Sequence, residues 1–201
     1  MARPKASPEQ RAQVRRSIQQ AASDLYRAEG LSAISARAVA TKAGVSVGTI
    51  YSYFGDLTGL MQSLWTGPIA QLEEELRALA VQHDAPKPRI EALLRAYLAF
   101  GTAQSLLYRN ALMFVRPSAL EAPQKQALSA FAFPSLLLEA IEQGQAAGEV
   151  MQGDPHALVQ VLWSGVHGGL ALPINMDRLA LSSSGEVSEP LIRALMRAIE
   201  A

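Results

Sequence analysis

Residues 35 to 54, Ser35-Ala-Arg-Ala-Val-Ala-Thr-Lys-Ala-Gly-Val-Ser-Val-Gly-Thr-Ile-Tyr-Ser-Tyr-Phe, leave the backbone little freedom. Ser35 is a helix cap, and Val39, Ala40 and Ala43 recur behind it on one helical face. Gly44 ends that helix, because glycine accepts the left-handed conformation of a helix C-terminus, and Val45 supplies the apolar contact that follows. Ser46 caps a second short helix, and Thr49, three residues on, can return a hydrogen bond to it. In this second helix Ile50 and Phe54 are four apart and face inward. Val47, Gly48, Thr49, Tyr51, Ser52 and Tyr53 are left on the N-terminal half and flank. Small, hydroxyl and phenol groups at a helix N-terminus suit the edges of base pairs and the adjoining phosphates.

The rest of the chain is helical in pattern. Ser7-Pro8-Glu9-Gln10 joins a cap, a proline at the first helical position, an acid in the first turn and a glutamine three residues after the cap. The helix it starts shows Val14, Ile18, Ala21, Ala22 and Leu25 on one face and ends near Gly30. Asp56 caps a fourth helix running to about Val81, with Leu57, Leu60, Met61, Leu64, Ile69, Leu72, Leu76 and Leu79 in its stripe; Gly67-Pro68 predicts a bend within it. After a loop at 83–88, helices are expected over 89–104, over 106–115 and, bent near Pro134, over 123–149. Asp154-Pro155 starts another, residues 173–187 read as a Ser-rich loop, and Ser188 caps the last helix. No alternating strand pattern survives. The expected fold is all-α, with about nine helices, an N-terminal helix-turn-helix domain over 1–55 and a helical domain over 56–201.

The formal net charge of zero conceals a division: residues 1–55 hold eight Lys/Arg against three acids, +5, and the remainder ten against fifteen, −5. A basic head on an acidic body is what a polyanion-binding module on a neutral scaffold requires. The chain has no cysteine, which excludes disulfides and thiolate metal sites and is compatible with a reducing cytoplasm. No run of about 18 apolar residues stands out and the N-terminus is charged, so neither a membrane span nor export is expected. His83, His156 and His167 are widely spaced, so no metal or cofactor is expected. No nucleophile elbow, phosphate loop or carboxylate pair points to an enzyme.

The run from Ala43 to Phe54, followed by Leu60, resembles the helix-turn-helix signature of the tetracycline-repressor-type (TetR) transcriptional regulators. Leu162-Trp-Ser-Gly-Val-His-Gly-Gly-Leu170 is similar to the Trp-x-x-x-His-Gly (WHG) signature of one subgroup of their C-terminal domains. The resemblance implies a cytoplasmic homodimer that sets two recognition helices on a palindromic operator in double-stranded DNA. It also implies an unidentified small apolar or amphipathic effector that releases repression. DNA contacts carried over by position are Ser35, Arg37, Ser46, Val47, Gly48, Thr49, Tyr51 and Tyr53. Lys42 joins them by charge, and Arg3 and Lys5 lie on a basic arm able to enter the minor groove. One position departs: many relatives carry a lysine three residues after the motif's Phe, where it reaches a phosphate, and here that residue is Leu57.

Aromatic and Met content makes Tyr97, Phe100, Tyr108, Met113, Phe114, Phe131, Phe133, Trp163 and His167 the candidate effector residues, although the same residues suit a plain core. Gly165 and Gly169 clear one side of their helix for close approach, so Leu158, Leu162, Gly165, Gly169, Leu191, Leu195 and Ile199 are the candidate dimer interface. Two other readings stand beside this one: a regulator blind to ligands, and a helical small-molecule binder that has lost DNA binding. The second is motivated by Leu57.

Overall fold

The structure, a computed structural model, describes residues 7–30, 33–105, 107–108, 130–176 and 178–201. Among these, eight helices occur and no strand; one isolated bridge pairs Val150 with Glu200. Of the helix expected over 106–115, only residues 107 and 108 are described, and they are helical. The chain divides into two compact units, residues 1–69 and 70–201.

In the first unit, α1 (Pro8–Glu29) opens with a reciprocal cap: Gln10 N–H donates to Ser7 Oγ at 3.2 Å, and Ser7 N–H donates to Gln10 Oε1 at 2.9 Å. α2 (Ala36–Ala43) is capped by Ser35 and ends at Gly44, whose φ of 66° is the left-handed conformation anticipated from the sequence. Val45 N–H then donates to the Ala40 carbonyl at 3.0 Å, which closes the turn. α3 (Val47–Phe54) follows at once, capped by Ser46. α4 (Leu57–Gln82) begins with Gly59 N–H donating to Asp56 Oδ1 at 2.7 Å, and it continues through Pro68.

Ile18, Ala21, Ala22 and Tyr26 of α1, Ile34, Val39 and Ala40, Ile50 of α3, and Leu60 and Met61 of α4 form one buried cluster. Full burial of a side chain such as Ile50 contributes about 1.5–3 kcal/mol. Leu57, Leu64 and Trp65 pack on the same cluster, so the compact unit extends past the boundary drawn at 55/56, which followed the end of the helix-turn-helix motif. An amphipathic three-helix head needs a fourth surface to cover it, and the first turns of α4 supply one.

In the second unit, α5 (Pro86–Ala103) packs against α6 (Ala132–Ala146), α7 (Pro155–Asn175) and α8 (Ser184–Ala198). Their shared core includes Leu93, Leu94, Tyr97, Leu137, Ile141, Leu162, Val166, Leu170, Ile192 and Ile199. Arg95 of α5 ties down α8: it bridges Glu91 at 2.7 Å and Glu189, and these bonds hold the Glu189 carboxyl below its ordinary range.

Four sequence expectations are corrected here. Pro134 does not bend a helix, because α6 begins at Ala132 and places it in the first turn, where no intrahelical donor is lost. α7 runs to Asn175 with Pro173 inside it, three residues past the expected end. α8 is capped by Ser183 rather than Ser188: Glu186 N–H donates to Ser183 Oγ at 3.3 Å and Ser183 N–H to Glu186 Oε2 at 2.8 Å, while Ser188 Oγ donates to the Ser184 carbonyl. α7 is also long and apolar enough to cross a membrane by composition, contrary to the expectation of no such run. Here it is a helix of the core, with Val159, Leu162, Val166 and Leu170 buried.

Candidate nucleic-acid interface and effector cluster

α3 turns Ile50 fully inward and leaves Ser46, Gly48, Tyr51 and Ser52 exposed, with Tyr51 at 46% the most exposed large apolar residue of the head. Val47, Thr49 and Tyr53 are half-buried. The cap chemistry orders the leading end of this helix. Thr49 N–H donates to Ser46 Oγ at 3.0 Å, the two hydroxyls lie 2.8 Å apart, and Ser52 Oγ donates to the Thr49 carbonyl at 2.8 Å. Ser35, Arg37 and Lys42 of the preceding helix and its cap are exposed; Ser35 Oγ accepts from Ala38 N–H at 3.1 Å. Arg37 and Lys42 have no hydrogen bond or ion pair among the described residues, so their charges are free for phosphate. Arg3 and Lys5 lie outside the described residues.

Three contacts link α1 to the end of α3. Arg15 Nη1 donates to the Tyr53 carbonyl at 2.9 Å and its guanidinium lies 4.5 Å from the Phe54 ring centroid, while the Arg11 guanidinium lies 5.7 Å from that of Tyr53. Cations four residues apart on α1 thus meet the C-terminal turn of α3, where outward carbonyls favour positive charge. The spacing of Arg11 and Arg15 was visible, but the partner lies 38 residues away in the chain. Tyr53 is therefore held under a cation and against the head core instead of standing free. Leu57 packs its side chain on the same core.

In the second unit Tyr97, Tyr108, Phe133, Trp163 and His167 come together. Tyr97 stacks on Phe133 at 4.4 Å, Tyr108 meets Tyr97 edge-on at 6.0 Å, and Phe133 meets Trp163 at 6.2 Å. Trp163 Nε1–H donates to the Tyr97 hydroxyl at 3.0 Å, the two phenol oxygens are 3.3 Å apart, and both hydroxyls reach His167 Nδ1, that of Tyr97 at 3.3 Å. Burial pushes both phenols above their ordinary value and pushes the imidazole below its own. Phe100 is half-buried against the core. Phe131 is corrected: it is 49% exposed at the N-cap of α6, because that cap precedes the helix and points away from the face that buries Phe133. Met113 and Phe114 lie outside the described residues.

The face assigned to a dimer interface is occupied from within the chain. Leu162, Leu195 and Ile199 are buried in the unit's own core, and Leu158 and Leu191 pack against it. A Cβ added at Gly165 would meet Leu195 Cδ2 at 2.5 Å, and one at Gly169 would meet Leu191 Cδ2 at 2.5 Å. These glycines bring α8 onto α7 of the same subunit. The residues α7 leaves exposed are His156, Ala157, Gln160, Val161, Ser164, Leu172 and Asn175; of these Ala157, Val161, Ser164 and Leu172 lie at helical spacing on one side, with open space around Gly168. Among the described residues no group of three or more His, Cys, Asp or Glu could hold a metal ion.

None of the curated proteins matches the chain. Among solved structures it is similar to a Rhodococcus sp. RHA1 protein of unknown function, at 23% identity, covering all of both chains with a TM-score of 0.73. It is also similar to a TetR/AcrR-family transcriptional regulator from Thermobifida fusca YX-ER1, at 23% identity over 90% of this chain and 96% of that one, TM-score 0.71. A third is the Bacillus subtilis transcriptional regulator FadR in complex with stearoyl-CoA, at 20% identity over 92% and 99%, TM-score 0.73. Two family models match the sequence itself: the bacterial regulatory proteins of the tetR family over residues 18–64, and the tetracyclin repressor-like C-terminal domain over residues 90–198. The chain belongs to the TetR family of DNA-binding transcription regulators.

Proposed function

We propose that the chain is a cytoplasmic homodimeric repressor, with residues 1–55 reading a palindromic operator and 56–201 binding a small apolar or amphipathic effector and dimerising. The observation that carries the reading is the leading end of α3, ordered by Ser46 and open to solvent, beside the unpaired cations Arg37 and Lys42. Val47 and Gly48 lack hydrogen-bonding side chains, so base readout rests on Arg37 and on apolar contact with thymine methyls. Tyr51, Tyr53, Ser35, Ser46 and Thr49 serve phosphates. Two such helices in a dimer fall in successive major grooves about 34 Å apart.

The uncharged outward stripe of α7, Ala157, Val161, Ser164, Gly168 and Leu172, supports a two-fold seam on this face in place of the buried positions first considered. Effector binding acts through α4, the helix common to both units, and a coupling of about 1–3 kcal/mol suffices for regulation.

The test starts by selecting bound sequences from a random duplex pool. The selected site should be palindromic, and its affinity should fall steeply with salt. Tyr51→Ala and Arg37→Ala should each abolish selective binding while circular dichroism stays unchanged. Equal affinity in wild type and both variants would remove the reading. Val161→Glu should give monomers in sedimentation, and a protein that is monomeric without the substitution would remove the dimer.

A further inference from the structure

The hydrogen-bonded cluster at the centre of the second unit has a proton inventory that closes in only one way. Four polar groups meet: Trp163 Nε1–H, which can only donate, the Tyr97 and Tyr108 hydroxyls, and His167 Nδ1. Each phenol carries one proton and must find an acceptor, because Tyr97 and Tyr108 are 3% and 0% exposed and an unpaired buried donor bears its full desolvation cost. If Nδ1 is bare, Trp163 donates to Tyr97, Tyr97 to Tyr108 and Tyr108 to Nδ1, and every donor is used. If Nδ1 carries a proton, four donors share the two phenol oxygens: Trp163 and Nδ1–H each take one, the single bond between the phenols uses one hydroxyl proton, and the other finds no acceptor among the described residues.

The neutral ring then has its proton on Nε2. That atom has no hydrogen-bond partner among the described residues, yet no buried side-chain nitrogen or oxygen of the described residues lacks one, so Nε2 is open to contact. The half-buried Trp163 belongs to the same cluster, and Phe133 lies behind it. Burial alone depresses the imidazole, with no charged side chain contributing. α7 carries no Asp, Glu, Lys or Arg from Pro155 to Asn175, and on α5 Arg95 is engaged by Glu91 and Glu189.

We infer that His167 is held as the neutral Nε2–H tautomer, and that its Nε2–H selects an apolar ligand bearing an uncharged hydrogen-bond acceptor, a ketone, ester or lactone carbonyl. Among the described residues a cationic ligand finds no acceptor here, and a carboxylate finds no cation at this atom, because charging the ring strands a phenol proton. Calling this ligand the effector rests on the function proposed above; the recognition chemistry does not.

The test uses the full-length 15N-labelled chain. Long-range 1H–15N spectra report the tautomer of each of the three histidines, with His167 assigned by its loss in His167→Gln. The expected pattern at neutral pH is a bare Nδ1 and a protonated Nε2; an Nδ1–H tautomer or an imidazolium overturns the inference. Titration with 2-decanone, decanoate and decylamine then compares three heads on similar tails. The ketone should bind about tenfold more tightly than either charged probe and should shift the His167 Nε2–H signal, with that preference lost in His167→Phe. Equal binding of the three probes, or no binding of the ketone, overturns it. The tautomer is read on the unmodified chain, so the proposal remains testable even if His167→Phe does not fold. Operator binding is scored separately. A ketone that binds as expected without releasing DNA upholds the His167 assignment and removes its role as effector.

Discussion

The two units bury different chemistry. The head closes on alanine, valine, isoleucine, leucine and methionine, with Tyr26 edge-on to Trp65 at 6.3 Å, and its serine and aspartate hydroxyls and carboxyls work at helix starts. The body buries two phenols, engages an indole N–H with one of them, and places an imidazole at the end of the chain of bonds. A small aliphatic core gives the head a fixed platform for an exposed helix. A core with a polar centre gives the body directional groups, and in a low-dielectric interior such groups must all be satisfied. The comparison teaches where each unit keeps its directional polar groups: at exposed helix starts in one, joined inside in the other.

The largest effects should come from emptying either core. Ile50→Ala and Leu162→Ala each remove a side chain that is 0% exposed, and each should destabilise its own unit by about 2–5 kcal/mol. Hydrogen exchange resolves them by region. Ile50→Ala should raise exchange in α1 to α3 and Leu162→Ala in α5 to α8, whereas uniform loss across the chain from either change would mean that the two cores do not open separately.

Next comes the contact between α7 and α8. Alanine at Gly165 gains up to about 1 kcal/mol of helix propensity, but its Cβ would sit 2.5 Å from Leu195 Cδ2. Overpacking of that kind costs about 1–3 kcal/mol, so Gly165→Ala should be net destabilising in thermal melts. A stabilised protein would show that Leu195 yields freely and that α8 is not seated as described.

Local chemistry was the readable part of the sequence. Ser7, Ser35, Ser46, Asp56 and Asp154 all cap helices as their immediate neighbours implied, because a cap is decided within four residues. Ser183 with Glu186 carried the same signal and was overlooked inside a serine-rich run. Choices that depend on distant partners were not readable. Gly165 and Gly169 announced a close helix approach without saying whose helix, and Arg11 and Arg15 gave no sign of Tyr53. Phe131 and Phe133 look alike in composition, yet only one faces the core. Tyr97, Tyr108, Trp163 and His167 were found by residue type, but the direction of their hydrogen bonds required the geometry.

The polar centre of the body should also make that unit sensitive to acid. His167 is held below its ordinary value of 6.5 in the fold and returns to it on unfolding. Unfolded chains then bind the extra proton first, so stability should fall as pH drops below about 6.5 and level off once the folded imidazole itself titrates. His167→Gln should flatten this part of the profile for the body. An unchanged profile, followed by denaturant midpoints, would remove His167 as the source of the acid sensitivity.

The smallest effect in stability is the most informative about the head. Arg11 is exposed on α1, so Arg11→Ala should change stability by no more than about 0.5 kcal/mol. Its guanidinium nonetheless sits over Tyr53 on the side of the head that carries α3, while Leu57, an apolar residue at the start of α4, packs on the core. If Arg11 supplies the phosphate contact that Leu57 cannot, Arg11→Ala should lower the slope of log affinity against log salt by about 0.9, weakening binding evenly across operator sequences. A slope that does not move would confine Arg11 to holding Tyr53 in place. A change that depends on operator sequence would instead mean that it touches a base edge, and the sorting of surface groups into readers and anchors would have to be redrawn.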